Sequence, residues 1–245
     1  TAGFTGEELL RKMKGIGFHC DFIHLDQGCS RINIKMKDFD GTEINGQGPS
    51  ISPEAIRQLM EKLDRLQKGD ILILAGSIPE SMPDSIYRDI LASLNGRGIQ
   101  YVVDATRSLL LNVLEYHPFL IKPNNHELGE IFDVTLTSRE DVAPYAKMLQ
   151  EKGARNVLVS MAGQGAVLVA ENGEVHMQPA PEGILINAVG AGDSMVAGFV
   201  AGWVQKQNYR HAFHMGISAG SASAFSHLLA TREEIFKIYK TMETN

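Results

Sequence analysis

From Ser52 onward, short runs of purely apolar residues alternate with segments whose apolar positions recur every three or four residues. Ile71-Leu72-Ile73-Leu74, Tyr101-Val102-Val103, Phe119-Leu120-Ile121 and Val157-Leu158-Val159 are the apolar runs. Such runs suit strands covered on both faces, as in a parallel sheet. Between them the spacing predicts helices from Ser52 to about Leu66, Pro83 to Leu94 and Ser108 to Glu115, near 124–131 and over 138–152. Ser52-Pro53-Glu54 supplies a cap, a proline at the first helical position and an acid in the first turn. Ala166 to Ala170 and Val175 to Gln178 read as further strands. Three helices, at roughly 191–206, 209–226 and 231–242, finish the chain. The alternation predicts an α/β fold, a largely parallel sheet flanked by helices on both faces.

Before Ser52 the pattern differs. Glu7 to Lys14 reads as a short helix with Leu9, Leu10 and Met13 on one face. Phe18 to Leu25 and Ser30 to Lys37 read as strands, Asp40-Gly41 as a turn, and residues 42–49 as a polar extended segment. In the second strand Arg31, Asn33 and Lys35 fall on one face and Ile32, Ile34 and Met36 on the other. Residues 18–49 are therefore expected to form a small β lid on an α/β body made of residues 1–17 and 50–245. Phe22, Ile32, Ile34 and Met36 give the lid an apolar face, and a second copy of the chain is expected to cover it, making a homodimer. The cationic face would suit a phosphate ester. A solvated face whose lysine discourages edge pairing accounts for it too.

Length and composition narrow the function. At 245 residues with 44% hydrophobic and 21% charged positions, the chain can bury one large core. A net charge of -6, with no cluster of Lys and Arg, argues against nucleic acid and anionic membranes as partners. No apolar run is long enough to span a bilayer, and no signal peptide opens the chain. Cys20 and Cys29 are not spaced as a metal or redox pair, so free thiols in a reducing cytoplasm are expected.

The chemistry concentrates in Gly190-Ala191-Gly192-Asp193, which opens the helix near 191–206. A glycine-rich turn at a helix start leaves backbone N–H groups aimed at one point, and the helix dipole adds positive charge there. Asp193 in such an anion hole could accept the proton of a hydroxyl that attacks a phosphoryl group. The string is not a Walker A loop, and Met195 stands where a dinucleotide fingerprint needs its third glycine. An ordinary turn with Asp193 as a helix cap explains Gly-x-Gly-Asp equally well on its own. Four strands also end in polar or glycine residues: Gly76-Ser77-Ile78-Pro79, Asp104 to Arg107, Lys122 to Glu127, and Ser160 to Gly165. Ligands of open α/β sheets bind beyond such carboxyl ends. Asn124 and Glu127 share a helical face, which suits an outer-shell magnesium site and equally a capping box.

Asn187-Ala-Val-Gly-Ala-Gly-Asp-Ser closely resembles the signature of the ribokinase-like (PfkB-type) sugar kinases. Lys122-Pro-Asn-Asn-His-Glu-Leu is similar to their Asn-x-x-Glu motif, and Gly76-Ser77-Ile78-Pro79 to their substrate loop. The resemblance runs along essentially the whole chain. It implies a ribokinase-like fold and ATP-dependent phosphorylation of a sugar phosphate hydroxyl, with Mg2+. Asp193 would be the base, and Gly190, Ala191 and Gly192 the anion hole. Ser160, Met161, Ala162, Gly163, Gln164 and Gly165 would lie against ATP, with Lys122 near the transferred group. Asn124 and Glu127 would hold magnesium through water. Arg31, Asn33 and Ser77 would hold the substrate. The wording of the motifs implies conversion of fructose 1-phosphate to fructose 1,6-bisphosphate, with tagatose 6-phosphate as the alternative substrate. Family members open with a core strand and a Gly-Gly-Lys-Gly loop, and this chain contains no Gly-Gly pair. A longer protein that includes that segment is expected. A catalytically silent nucleotide-binding module is the alternative of another class.

Overall fold

The computed structural model describes residues 1–36, 43–105 and 107–243. It divides into two compact units, Thr1–Lys68 with Ser77–Arg97, and Gly69–Gly76 with Gly98 onward.

In the first unit, α1 (Gly3–Gly15) is followed by two short strands, β1 (Asn33–Lys35) and β2 (Glu43–Asn45), and by α2 (Pro53–Leu63) and α3 (Ile86–Leu94). α2 starts as its sequence dictates, with Ser52 Oγ accepting from Ala55 N at 3.2 Å and Pro53 in the first turn. β1 and β2 pair antiparallel, Ile34 opposite Ile44 and Lys35 opposite Glu43. The Lys35 ammonium meets the Glu43 carboxylate at 2.7 Å. Phe18 to Leu25 does not form the expected strand: it bridges only Ala2, at Leu25. Thr1 N donates to Ile23 O at 2.7 Å and Leu25 N to Thr1 O at 2.9 Å, and Asp21 pairs with Lys62 of α2. Two residues are too short a partner for a ladder. The Asp40-Gly41 turn lies outside the described residues.

The second unit holds a six-stranded sheet in the order β3-β4-β5-β6-β7-β8. The strands are β3 (Ile71–Ala75), β4 (Gln100–Asp104), β5 (Leu120–Ile121), β6 (Val157–Ser160), β7 (Ala166–Val169) and β8 (Val175–Gln178). The first four run parallel. β7 and β8 return antiparallel, Val157 facing Val169 and Val169 facing Val175. The helices are α4 (Arg107–Leu111), α5 (Asn125–Phe132), α6 (Arg139–Glu151), α7 (Ala191–Lys206), α8 (Tyr209–Ala224) and α9 (Arg232–Glu243). The helix expected over 108–115 is split into α4 and a single 3-10 turn at Leu114–Tyr116.

One face of the sheet buries Leu158 and Leu168 with Val196 and Phe199 of α7 and Phe213 and Ile217 of α8. Val157, Val159 and Val167, which alternate with them, are also fully buried. Burial of both parities of a strand is why these runs contain no polar residue. α7 and α8 approach closely because glycines line their contact. A Cβ at Gly198 would lie 2.5 Å from Met215 O, and one at Gly202 2.9 Å from Ala212 Cα. From the other side, a Cβ at Gly220 would sit 3.1 Å from Ala191 O.

Candidate active site

Three elements of the second unit meet at the start of α7. Gly190 caps that helix with φ +78°, a left-handed conformation that glycine adopts without strain. The turn into it is folded by Asn187, whose Oδ1 accepts from Val189 N at 3.1 Å. Gly192 and Asp193 follow in the first helical turn, where amides have no intrahelical partner, and Asp193 is exposed.

Lys122 supplies the second element. It follows β5, its backbone N donating to Val103 O at 3.3 Å, and it is 7% exposed. A Cβ on Gly192 would lie 3.3 Å from the Lys122 ammonium. The cation thus stands against the glycine turn, and a side chain at 192 would crowd it. Asp104, the last residue of β4, holds that ammonium at 3.3 Å. Burial pushes the Asp104 carboxyl above its ordinary range. Attraction to Lys122 opposes this, and the carboxylates of Asp193 and Glu127 reinforce it. These effects place Asp104, Lys122, Asp193 and Glu127 in one electrostatic neighbourhood. The sequence reading gave Asp104 no role. An acid closing a wholly apolar strand was the signal available.

The third element joins the ends of β5 and β6. Asn124 and Glu127 form a complete capping box: Asn124 N donates to Glu127 Oε2 at 2.7 Å, and Glu127 N to Asn124 Oδ1 at 2.8 Å. Asn124 is bridged to Ser160, whose N donates to Pro123 O at 3.2 Å. The Ser160–Gly165 loop closes with Met161 N donating to Gly165 O at 2.9 Å. Met161 is buried, whereas Ala162, Gly163 and Gln164 are exposed. Gly165 has φ +96°, and any Cβ there would strike Gln178 O. Beside the hole, Leu229 lies over Gly190, and Ile186 N and Asn187 N both donate to Ala224 O. The two loops so joined expose Ile184, Leu185, Val189, Leu228 and Leu229, an apolar surface that the sequence reading missed.

Arg31, Asn33 and Ser77 belong to the first unit, and all three are exposed. β1 covers only part of the predicted strand, yet it includes Asn33 and Lys35. Lys35 is engaged by Glu43. The second unit thus gathers the hole, Lys122, Asn124, Glu127 and the Ser160 loop. No helix among the described residues is long and apolar enough to cross a membrane.

A glycine-opened helix start, a buried lysine against it and a carboxylate in its first turn suit the transfer of a phosphoryl group. Residues 2–234 match the family model described as pfkB family carbohydrate kinase, and the chain belongs to that family. The 1-phosphofructokinase of Bacillus subtilis is 46% identical over 231 residues, covering 94% of this chain and 76% of that protein. The D-tagatose-1-phosphate kinase of Bacillus licheniformis is 32% identical over 92% of this chain and 74% of its own length. Among solved structures, phosphofructokinase-2 from Escherichia coli in complex with substrates and products superposes with a TM-score of 0.88. It is 25% identical, over 99% of this chain and 80% of that one. The protein is a carbohydrate kinase of ribokinase-like α/β fold, and ATP is the substrate that such kinases share.

Proposed function

We propose that the protein transfers the γ-phosphoryl group of ATP to the free primary hydroxyl of fructose 1-phosphate, giving fructose 1,6-bisphosphate. The observation that carries the chemistry is Asp193 beside Gly192, with the Lys122 ammonium against that glycine. Asp193 accepts the proton of the attacking hydroxyl as its oxygen bonds to phosphorus and the bond to ADP breaks. The amides around Gly190, Ala191 and Gly192 stabilise the charge that builds on the phosphoryl oxygens. Lys122, held by Asp104, faces the same group. The Ser160–Gly165 loop lies along the nucleotide, and the exposed apolar surface around Leu185 and Leu229 receives the base. Arg31, Asn33 and Ser77 bind the sugar phosphate.

The donors fit magnesium held through water. Glu127 keeps Oε1 outside the capping box, Asn124 is committed to it, and no group of three metal-binding side chains occurs among the described residues. When bound, magnesium would neutralise charge on the phosphates. Residues 18–49 act as the lid. Its Ile32, Ile34 and Ile44 are all more than half exposed, which supports a homodimer formed through that face. Sedimentation of the complete protein as a monomer at micromolar concentration would contradict the dimer.

The name of the Bacillus subtilis relative favours fructose 1-phosphate, and that of the Bacillus licheniformis relative favours tagatose 1-phosphate as the second reading. Turnover with ATP on fructose 1-phosphate, fructose 6-phosphate, tagatose 1-phosphate and tagatose 6-phosphate tests both. The expected outcome is the highest kcat/KM on fructose 1-phosphate. A preference for any other sugar refutes the assignment, and no turnover on any of them supports the silent module.

A further inference from the structure

A second polar cavity lies at the other end of α7. It measures about 920 Å3 and is lined by Lys206, Asn208, Arg210, His211, His214 and Tyr239. Lys206 is the last residue of α7 and Asp193 lies in its first turn, so the cavity is removed from the anion hole by roughly 20 Å of helix. It therefore belongs to a different site.

Its lining is polar and built. His211, His214 and Tyr239 are each more than nine-tenths buried. His211 is oriented from both sides, by the Tyr239 hydroxyl 2.7 Å from Nδ1 and by Gln205 Oε1 3.3 Å from Nε2. Asn208 caps α8, its Oδ1 accepting from His211 N at 2.8 Å, which fixes the turn that carries Arg210. Lys206 and Arg210 stand exposed at the rim. Arg11, Arg57 and Arg155 are held by neighbouring carboxylates. Lys206 and Arg210, in contrast, have no ion-pair partner among the described residues. No Asp or Glu lines the cavity among those residues, although the chain carries a net charge of -6. The negative end of α7 and the positive end of α8 adjoin here and oppose each other. The charged side chains that the described residues bring to the cavity, Lys206 and Arg210, are both cations.

The geometry points to a binding site for a small phosphorylated molecule in this cavity. Arg210 offers a planar fork and Lys206 a point charge, the pair of groups suited to phosphate. The volume matches that of sites for metabolite-sized ligands.

Pyrophosphate titrated at constant ionic strength, followed by the imidazole NMR signals of His211 and His214, tests the assignment at the cavity itself. These signals are expected to shift and saturate with pyrophosphate and to stay in place with sodium chloride. K206A/R210A should raise the midpoint by about tenfold or more, the effect of losing charge-assisted contacts. K206R/R210K, which keeps both charges, should stay within a few-fold of the parent and controls for folding. Absence of a shift, an unchanged midpoint in the alanine variant, or an equal shift with chloride would overturn the site. Tighter saturation by citrate than by pyrophosphate would overturn its preference for phosphate.

Discussion

Asp193 owes its proposed role to where it stands. It is exposed, one residue past the glycine that the Lys122 ammonium approaches. Asp193→Asn keeps the size of the side chain and removes the proposed base. Turnover is expected to fall on the order of a hundred- to ten-thousandfold, with ATP affinity changed by only a small factor. Retention of more than about a tenth of the parent kcat in a steady-state assay would show that another group takes the proton.

Asp104 is largely buried. Its folded-state carboxyl binds a proton more readily than the unfolded one, whose reference value is 3.8. Its contribution to stability is therefore fully present below that reference and is lost as pH rises through the raised folded value. Asp104→Asn cannot lose a proton. The difference in melting temperature between variant and parent should thus move in the variant's favour as pH rises through that window. Turnover should fall in the same variant, since Lys122 loses the carboxylate 3.3 Å away. A pH-independent difference would show that Asp104 is not perturbed. In the sequence, Asp193 stands out through the glycine turn that opens its helix, and Lys122 takes its role from the family resemblance of its motif. The same sequence gives Asp104 no role, because one acid at a strand end looks the same whether it caps a turn or holds a buried ammonium.

At the scale of elements, both readings of Asn124 and Glu127 must be weighed together. The capping box is present, and it ties the start of α5 to the end of β5. Asn124→Ala should lower stability by about 1 kcal/mol in urea, without magnesium or nucleotide, as expected for loss of an N-cap. If stability is unchanged in that measurement, the side chain does not cap α5. The strands β4, β6 and β7 were legible nearly residue for residue, because burial on both faces leaves an apolar run that helices do not share, whereas β8 showed itself by alternation, Val175 and Met177 exposed and His176 and Gln178 half-buried. The segment 18–25 was misread as a strand. Alternation shows that a segment can extend, but a strand also needs a partner, and here only Thr1 and Ala2 lie alongside. The sequence pattern predicts one helix over 108–115, whereas α4 ends at Leu111 and a 3-10 turn follows at Leu114–Tyr116.

On the scale of the molecule, the two units divide the work assigned to them. The phosphoryl-transfer groups lie in the second unit, and Arg31 lies in the first. Arg31→Ala should therefore raise KM for the sugar phosphate far more than KM for ATP, by the roughly 1.5–3 kcal/mol of one charge-assisted contact. Equal changes in both constants would remove Arg31 from the substrate site. The cationic face was visible in the alternation of residues 30–36. That Glu43 would take up Lys35 was not, because the register of a hairpin depends on a turn that alternation does not fix.

The glycine contact between α7 and α8 also bears on the order in which the catalytic turn is assembled. Gly192, Gly198 and Gly202 each cost an isolated helix on the order of 1 kcal/mol relative to alanine. In water the α7 segment on its own would thus be mostly coil, and its first-turn amides would point in no common direction. Docking of α8 against Gly198 and Gly202 is what makes the segment helical. The geometry proposed to stabilise the phosphoryl oxygens is thus a product of tertiary assembly. A nascent or partly unfolded chain would carry every catalytic residue and still be inert. The proposed chemistry is thereby tied to the folded packing of two helices and not to the glycine sequence alone.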